Sequence, residues 1–394
     1  MNILSIETSC DETALSIIQT DSFDVAEPNF KVLSDLVISQ IETHAEYGGV
    51  FPALAKREHA KNLTPLLKTC LTEASLYEQT KNSINLSGLE TIMEREPELF
   101  TALSSLLSSI KKPDIDMIMV THGPGLAPAL WVGVNFARVL SAAWDIPIVP
   151  VNHMEGHITS ILLKDDYINQ DQALLPLSDF QFPMISLLIS GGHTQLVLVR
   201  GWGDYEIIGE TIDDAVGEAF DKVARMLGMQ YPGGPKVSKA AQNGQENEAI
   251  SLPRPMLHSG DYRFSFSGLK TAVRYLVEKL QKENNFNEQV IADIAREFEH
   301  AVTEVLTKKT MAAIAEYSAR GLIIAGGVSA NTYITESFKK TLAEYDLPLY
   351  LPTRKLCGDN SLMIASAGFI QYQKLQKKAT LPQEEVVAAG NLKL

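Results

Sequence analysis

The chain writes one pattern twice, and that repetition limits its possible folds more than any other feature. Near the N-terminus an apolar run, Ile3–Ile6, meets a polar turn, Glu7–Thr13, and then a returning run, Ala14–Ile18. Residues 184–199 repeat the plan, with Met184–Ile189, the tight turn Ser190–Thr194 and Gln195–Val199. Further on, each hairpin is followed by an apolar strand that runs into glycines and then a helix. In the first half these are Asp116–Val120, Gly123-Pro124-Gly125 and Ala129–Trp144; in the second, Leu322–Ala325, Gly326-Gly327 and Asn331–Leu342. Short apolar runs bounded by turn residues read as buried strands, and apolar residues at helical spacing mark helices. Val32–Ser39 and Ile146–Val151 add strands, while Leu54–Ala74, Ser267–Gln281, Asn287–Tyr317 and Leu362–Lys374 add helices. Strands alternating with helices predict an α/β protein, and two such halves predict two lobes with a cleft between them. Glycine turns at strand ends are where α/β folds place ligands. The lobes are expected at residues 1–152 plus 352–394 and at 153–351. Residues 77–112 and 165–182 are weakly patterned and read as insertions, the first partly helical.

A length of 394 residues allows each lobe its own core. No apolar run approaches the roughly 20 residues needed to span a bilayer. The N-terminus opens directly on a strand, with no basic region or small-residue cleavage site. Cys10, Cys70 and Cys357 are too scattered for a disulfide framework and read as reduced thiols. A cytoplasmic protein without a membrane partner is expected. The net charge of −14 argues against unaided nucleic-acid binding, because Lys and Arg neutralising phosphates supply most non-specific affinity. An RNA substrate would need a local patch or a partner protein to supply positive potential.

The most chemically pointed segment is Asn152-His153-Met154-Glu155-Gly156-His157. Histidines four apart on a helix project from one face and can share a metal. The spacing resembles the His-Glu-x-x-His of metalloproteases, but Met154 stands where the protease keeps its general base. Asp359, in Cys357-Gly358-Asp359-Asn360, offers a third ligand; the competing reading makes it the N-cap of the final helix. Two histidines and one carboxylate leave coordination positions open, which suits a metal that polarises a ligand. Ser190–Thr194 and Thr8–Thr13 are hydroxyl-rich turns in matching places, and a glycine backbone lets amides approach a phosphate. Asp221 could accept ribose hydroxyls or pair with Lys222 or Arg225, and Tyr231–Pro235 could wall an adenine pocket or merely join helices. Gly326–Asn331 ends a strand at a helix start, a favourable anion site.

Taken together, these segments resemble the bacterial TsaD-type tRNA N6-adenosine threonylcarbamoyltransferases. The matching stretches are Ile6–Thr13, His44–Pro52, Gly123–Gly125, Asn152–His157, Ser190–Gln195, Asp213–Lys222, Tyr231–Pro235 and Gly326–Asn331. The resemblance implies a two-lobed actin-like, sugar-kinase-like (ASKHA) fold with a nucleotide cleft. It implies transfer of threonylcarbamoyl from threonylcarbamoyl-AMP to N6 of adenosine 37 in tRNAs reading ANN codons, forming t6A and releasing AMP. By motif, His153, His157 and Asp359 would ligate one Fe2+ per subunit, with Zn2+ or Mg2+ as alternatives. Leu188, Ile189, Ser190, Gly191, Gly192, Asp221, Gly234, Ser238 and Asn331 would contact the adenylate, and Glu12 would be the catalytic or ATPase-linked carboxylate. The implied partners are tRNA, a TsaB-like paralogue and a TsaE-like ATPase, in a homo- or heterodimer. At the third ligand the family usually reads Thr-Asp-Asn-Gly, whereas this chain has Gly358-Asp359-Asn360-Ser361. The rival readings are a glycoprotein-cleaving metalloprotease, a kinase or carbamoyltransferase on the same scaffold, and a non-enzymatic assembly scaffold.

Overall fold

Strands whose apolar residues fall on both faces bury both, so they belong at the centre of a sheet covered on two sides. The computed structural model, which describes residues 1–21, 29–80, 86–168 and 170–394, places both such runs there. In the first half, β1 (Asn2–Glu7) is buried throughout; β2 (Glu12–Gln19) runs antiparallel to it and β3 (Lys31–Ser39) antiparallel to β2. A short α1 (Ile41–Ala45), the long α2 (Pro52–Glu73) and α3 (Pro97–Leu107) follow. Next, β4 (Met117–Gly123) lies parallel to β1, α4 (Ala127–Trp144) returns across the sheet, β5 (Ile148–Asn152) lies parallel to β4, and α5 (His153–Thr159) begins where β5 ends. The strand order is β3-β2-β1-β4-β5.

The second half builds the same sheet. β6 (Met184–Ile189) is buried throughout, with antiparallel β7 (Thr194–Gly201) and β8 (Asp204–Glu210) on one side. Helices α6 (Val216–Met226), α7 (Gly234–Ala241), α8 (Ser267–Lys282) and α9 (Glu288–Glu316) follow. Then β9 (Leu322–Ala325) joins parallel to β6, and α10 (Thr332–Ala343) and the two-residue β10 (Leu349–Tyr350) complete the order β10-β9-β6-β7-β8. The chain closes with α11 (Ser361–Leu375). Two sheets, each a three-stranded meander extended by two parallel strands, make the α/β actin-like, sugar-kinase-like architecture. Among the described residues no helix is long and apolar enough to cross a membrane.

The compact units are residues 1–180 with 358–394, and 181–357. The change falls at 180/181 instead of the expected 152/153 because α5 and α11 pack on each other, and α11 lies on β1, β4 and β5. Alternation along β1 sorts its side chains. Leu4 and Ile6 join Leu63 and Leu67 of α2 and Phe136 and Leu140 of α4 in one core. Ser5 and Glu7 face the other way, where the Ser5 hydroxyl donates to the Ser361 carbonyl at 2.7 Å. In the second unit Phe220 of α6 meets Phe298 of α9 edge-on at 4.9 Å, inside a core shared with β6 and β7.

The segment expected as an insertion at 77–112 contributes α3, whose Leu99, Leu103, Leu106 and Leu107 are buried in the first core. Residues 81–85 of that segment, and residue 169 of the one at 165–182, lie outside the described residues. Within 165–182, Ala173, Leu174 and Leu177 are buried, and the Tyr167 hydroxyl donates to Asp35 at 2.8 Å.

Helix α4 approaches the β1–β2 turn so closely that it has room for glycine alone at residue 133. A Cβ there would lie 2.2 Å from Thr8 Oγ1, and that hydroxyl donates to the Ala129 carbonyl at 3.2 Å. Replacing a helix-interior glycine with alanine ordinarily stabilises by about 1 kcal/mol. Gly133→Ala is expected to reverse the sign and cost about 1–3 kcal/mol through overpacking, read as a lower denaturant midpoint with an unchanged slope.

Candidate metal centre and nucleotide site

A helix that begins at residue 153 needs a cap at 152, and Asn152 provides it by accepting from the Met154 amide at 2.9 Å. The cap fixes the first turn of α5, so His153 and His157 emerge on one face with ring centroids 4.7 Å apart. Both are buried, at 7% and 1% exposure. Asp359 arrives from the loop before α11. Its Oδ1 lies 3.5 Å from His153 Nε2 and 3.3 Å from His157 Nε2, and one potential ligand atom from each residue falls within 4.8 Å of the others. The competing role for Asp359 falls to its neighbour, because Asn360 caps α11 by accepting from the Met363 amide at 2.9 Å. Asp359 is thereby released to face the imidazoles.

Glu7 orders this cluster, and the motif reading had given it no role. It has no solvent exposure and ends β1. It accepts from the Ser9 amide, from the Thr121 hydroxyl at 2.5 Å and from His153 Nδ1 at 3.1 Å. A carboxylate can only accept here, so Nδ1 keeps a proton toward Glu7, and Nε2, turned to Asp359, is the nitrogen that would give up its proton to a metal. That is the arrangement by which a carboxylate orients a metal-binding histidine. Among the described residues neither ring nitrogen of His157 makes a hydrogen bond. Buried polar atoms are almost always paired. Two imidazoles and a carboxylate converging on one point, with one imidazole making no hydrogen bond among the described residues, fit a divalent cation. The lone signal in the sequence was an acidic residue closing an otherwise apolar strand.

The histidine pair lacks the protease arrangement. Met154 follows the first histidine and is buried, while Glu155 has its carboxyl raised to about 7 by burial, with Lys374 of α11 pulling it back. Glu12 opens β2 and accepts from the Ser39 hydroxyl at 3.2 Å. Burial, then the Asp11 and Asp359 charges, hold its carboxyl well above the usual range. The turn carrying it is backed by the buried, neutral His59. His59 Nε2 lies 3.0 Å from the Cys10 carbonyl, which can only accept, so Nδ1 accepts from Thr13 Oγ1 at 2.8 Å and Gln40 Nε2 at 3.2 Å. Burial lowers the His59 pKa to about 4, consistent with that neutral tautomer.

The expected adenylate contacts all lie in the second unit. Leu188 and Ile189 end β6, and the turn after them holds the start of α6: the Ser190 carbonyl accepts from Gly217 N at 3.2 Å, and Thr194 Oγ1 from Val216 N at 2.8 Å. A Cβ on Gly191 or Gly192 would meet nothing within 4 Å, so a ligand can reach their backbone. Asp221 takes the amides of Gly233 and Gly234 on Oδ1 at 2.7 and 3.3 Å, fixing the start of α7. Its expected alternative partner Lys222 turns instead to Asp214 and Glu218, at 3.0 and 2.8 Å. Asn331 caps α10 by accepting from Ile334 N at 3.0 Å, and its Nδ2 lies 2.9 Å from Ser238 Oγ. Both meet Glu299 of α9, a buried carboxylate that the motifs did not mark.

Burial lowers the His153 pKa, but Asp359 and then Glu7 outweigh it and raise the pKa to about 9. The imidazolium is thus stabilised by folding, fully below the ordinary pKa of about 6.5, and that contribution disappears as pH rises through about 9. Chelator-treated protein is expected to lose on the order of 3 kcal/mol between these limits, measured by urea unfolding. Added divalent metal, which competes with that proton, is expected to flatten the profile.

The TsaD family profile, described as tRNA N6-adenosine threonylcarbamoyltransferase, matches residues 31–86 and 97–366. Its matched ranges include 165–182 and leave 87–96 of the segment 77–112 outside. The tRNA N6-adenosine threonylcarbamoyltransferase of Chromobacterium violaceum is 41% identical over 369 residues, covering 93% of this chain and 92% of that one. The enzyme of that name from Thermosipho africanus is 39% identical over 394 residues, covering 100% of both. Among solved structures, full-length HypF in its phosphate- and nucleotide-bound form aligns with a TM-score of 0.53 at 12% identity. That alignment covers 96% of this chain and 56% of HypF, and it is a likeness of fold alone. With a profile matched through both units and relatives near 40% identity along almost the whole length, this chain belongs to the tRNA N6-adenosine threonylcarbamoyltransferase family.

Proposed function

We propose that the chain transfers the threonylcarbamoyl group of threonylcarbamoyl-AMP to N6 of adenosine 37 in tRNAs reading ANN codons, forming t6A and releasing AMP. Family membership supports the reaction, and the observation that carries the site is His157, whose two ring nitrogens make no hydrogen bond among the described residues although Asp359 lies 3.3 Å away. His153, His157 and Asp359 would hold one Fe2+; the nitrogen-rich set also suits Zn2+ and suits Mg2+ less well. When bound, such a cation supplies Lewis acidity to a phosphate or carbonyl oxygen. Glu7 keeps the His153 tautomer that leaves Nε2 available. In the transfer, the adenosine amine forms a C–N bond to the carbamoyl carbon and the C–O bond to phosphate breaks. AMP leaves with that electron pair, and the amine proton passes to a base. Glu12, raised in basicity by burial and neighbouring acids, fills that role. In the second unit the Ser190–Gly192 backbone, Asp221, Gly234, Ser238 and Asn331 hold the adenylate.

The charge of −14 favours help with tRNA, which a TsaB-like paralogue and a TsaE-like ATPase would give, in a homo- or heterodimer in the cytoplasm. Reconstitution tests the reading. Purified chain, metal, those partners, threonylcarbamoyl-AMP and an unmodified transcript are expected to yield t6A and AMP in equal amounts, and a transcript with guanosine at position 37 none. His157→Ala is expected to reduce transfer by about 100-fold or more. Folded, metal-loaded protein that forms no t6A would sink the proposal; cleavage of a glycoprotein substrate instead would install the protease reading.

A further inference from the structure

Three polar groups brought from distant parts of the second unit form a small triangle. Ser238 Oγ of α7 donates to Glu299 Oε1 of α9 at 2.6 Å, and Asn331 Nδ2 lies 2.9 Å from Ser238 Oγ and 2.8 Å from Glu299 Oε1. Counting hydrogens shows what the triangle has left to offer. The single Ser238 hydrogen is spent on the carboxylate. The amide oxygen of Asn331 is spent on the Ile334 amide at 3.0 Å. Its two amide hydrogens diverge, whereas the oxygens they face are only 2.6 Å apart, so both cannot point straight at them and Nδ2 keeps donor capacity at the edge of the triangle. Glu299 Oε2 accepts no hydrogen bond among the described residues. Ser238 and Asn331 are partly exposed, while Glu299 is 3% exposed behind them.

One anionic acceptor beside one neutral donor complements a hydroxyl, which donates to the carboxylate and accepts from the amide. It does not complement a phosphate, which would face the carboxylate charge. The glycine turn at 326–331 therefore differs from the anion site expected of it at its Asn331 end. We propose that Glu299 is the hydroxyl-recognising residue of the nucleoside subsite, reading the ribose of the adenylate, with Ser238 and Asn331 positioning its carboxylate. The proposal rests on the adenylate reading above and adds to it a residue that sets specificity for ribose over deoxyribose.

The probe is AMP, titrated into the full chain against 2′-deoxy-AMP and 3′-deoxy-AMP. A hydrogen bond to a charged group predicts that wild-type protein binds AMP about 10-fold or more tightly than at least one deoxy analogue. Glu299→Gln, close in shape, is expected to bind AMP about 10-fold more weakly and the three nucleotides within about threefold of one another. Ser238→Ala keeps the carboxylate and is expected to keep the preference at lower affinity, which covers the case in which Glu299→Gln fails to fold. Equal binding of all three nucleotides by wild-type protein overturns the proposal. So does a preference that persists in Glu299→Gln, or one lost in Ser238→Ala alone. Absence of AMP binding to wild-type protein overturns the underlying adenylate reading and the proposal with it.

Discussion

A carboxylate sealed from solvent must find donors or go uncharged, and that requirement at Glu7 organises the first unit. Its donors come from three elements: the Ser9 amide in the β1–β2 turn, the Thr121 hydroxyl in β4 and the His153 imidazole in α5. Satisfying one buried charge therefore ties the hairpin turn to the next parallel strand and to the helix that carries both histidines. It also selects the His153 tautomer, since a carboxylate cannot donate. The close approach at Gly133 serves the same end, holding α4 against Thr8 one residue from Glu7's own turn. The placement of both histidines is a consequence of a strand end and a helix cap, and Asp359 joins them from the loop before α11.

Caps decide the rest of the cluster. Asn152 starts α5 and Asn360 starts α11, so two asparagines place two histidines and one aspartate at the same end of the sheet. The second unit uses the same grammar for a different chemistry. Asn331 caps α10 and Asp221 holds the first amides of α7, and around them collect hydroxyl, amide and carboxylate groups instead of imidazoles. The two units thus share a strand order and diverge in what they set at the ends of their helices.

Much of the architecture was legible. β1 and β6 are buried on both faces, so their sequences are mainly apolar and bounded by polar turns, a signal that survives the polar interruptions at Ser5 and Ser186. β8 and β10 gave no such signal, for physical reasons. Asp204–Glu210 is a partly exposed edge strand with polar residues at alternate positions, and Leu349–Tyr350 is only two residues long. The histidine pair was visible as spacing, but its meaning was not. Choosing between Asp359 and Asn360 as the helix cap requires the backbone, because adjacent acceptors compete for the same amide. Glu299 was invisible for a different reason. It sits inside a 29-residue helix, and its partners lie 61 and 32 residues away in sequence, so no local pattern announces it.

The account turns on whether His153, His157 and Asp359 share one metal. X-ray absorption at the metal edge of Fe2+-loaded protein tests this most directly. It predicts two imidazole nitrogens with oxygen ligands at about 2.0–2.2 Å, and the loss of one imidazole shell in His157→Ala. A spectrum without imidazole scattering, or one unchanged by that substitution, would contradict it.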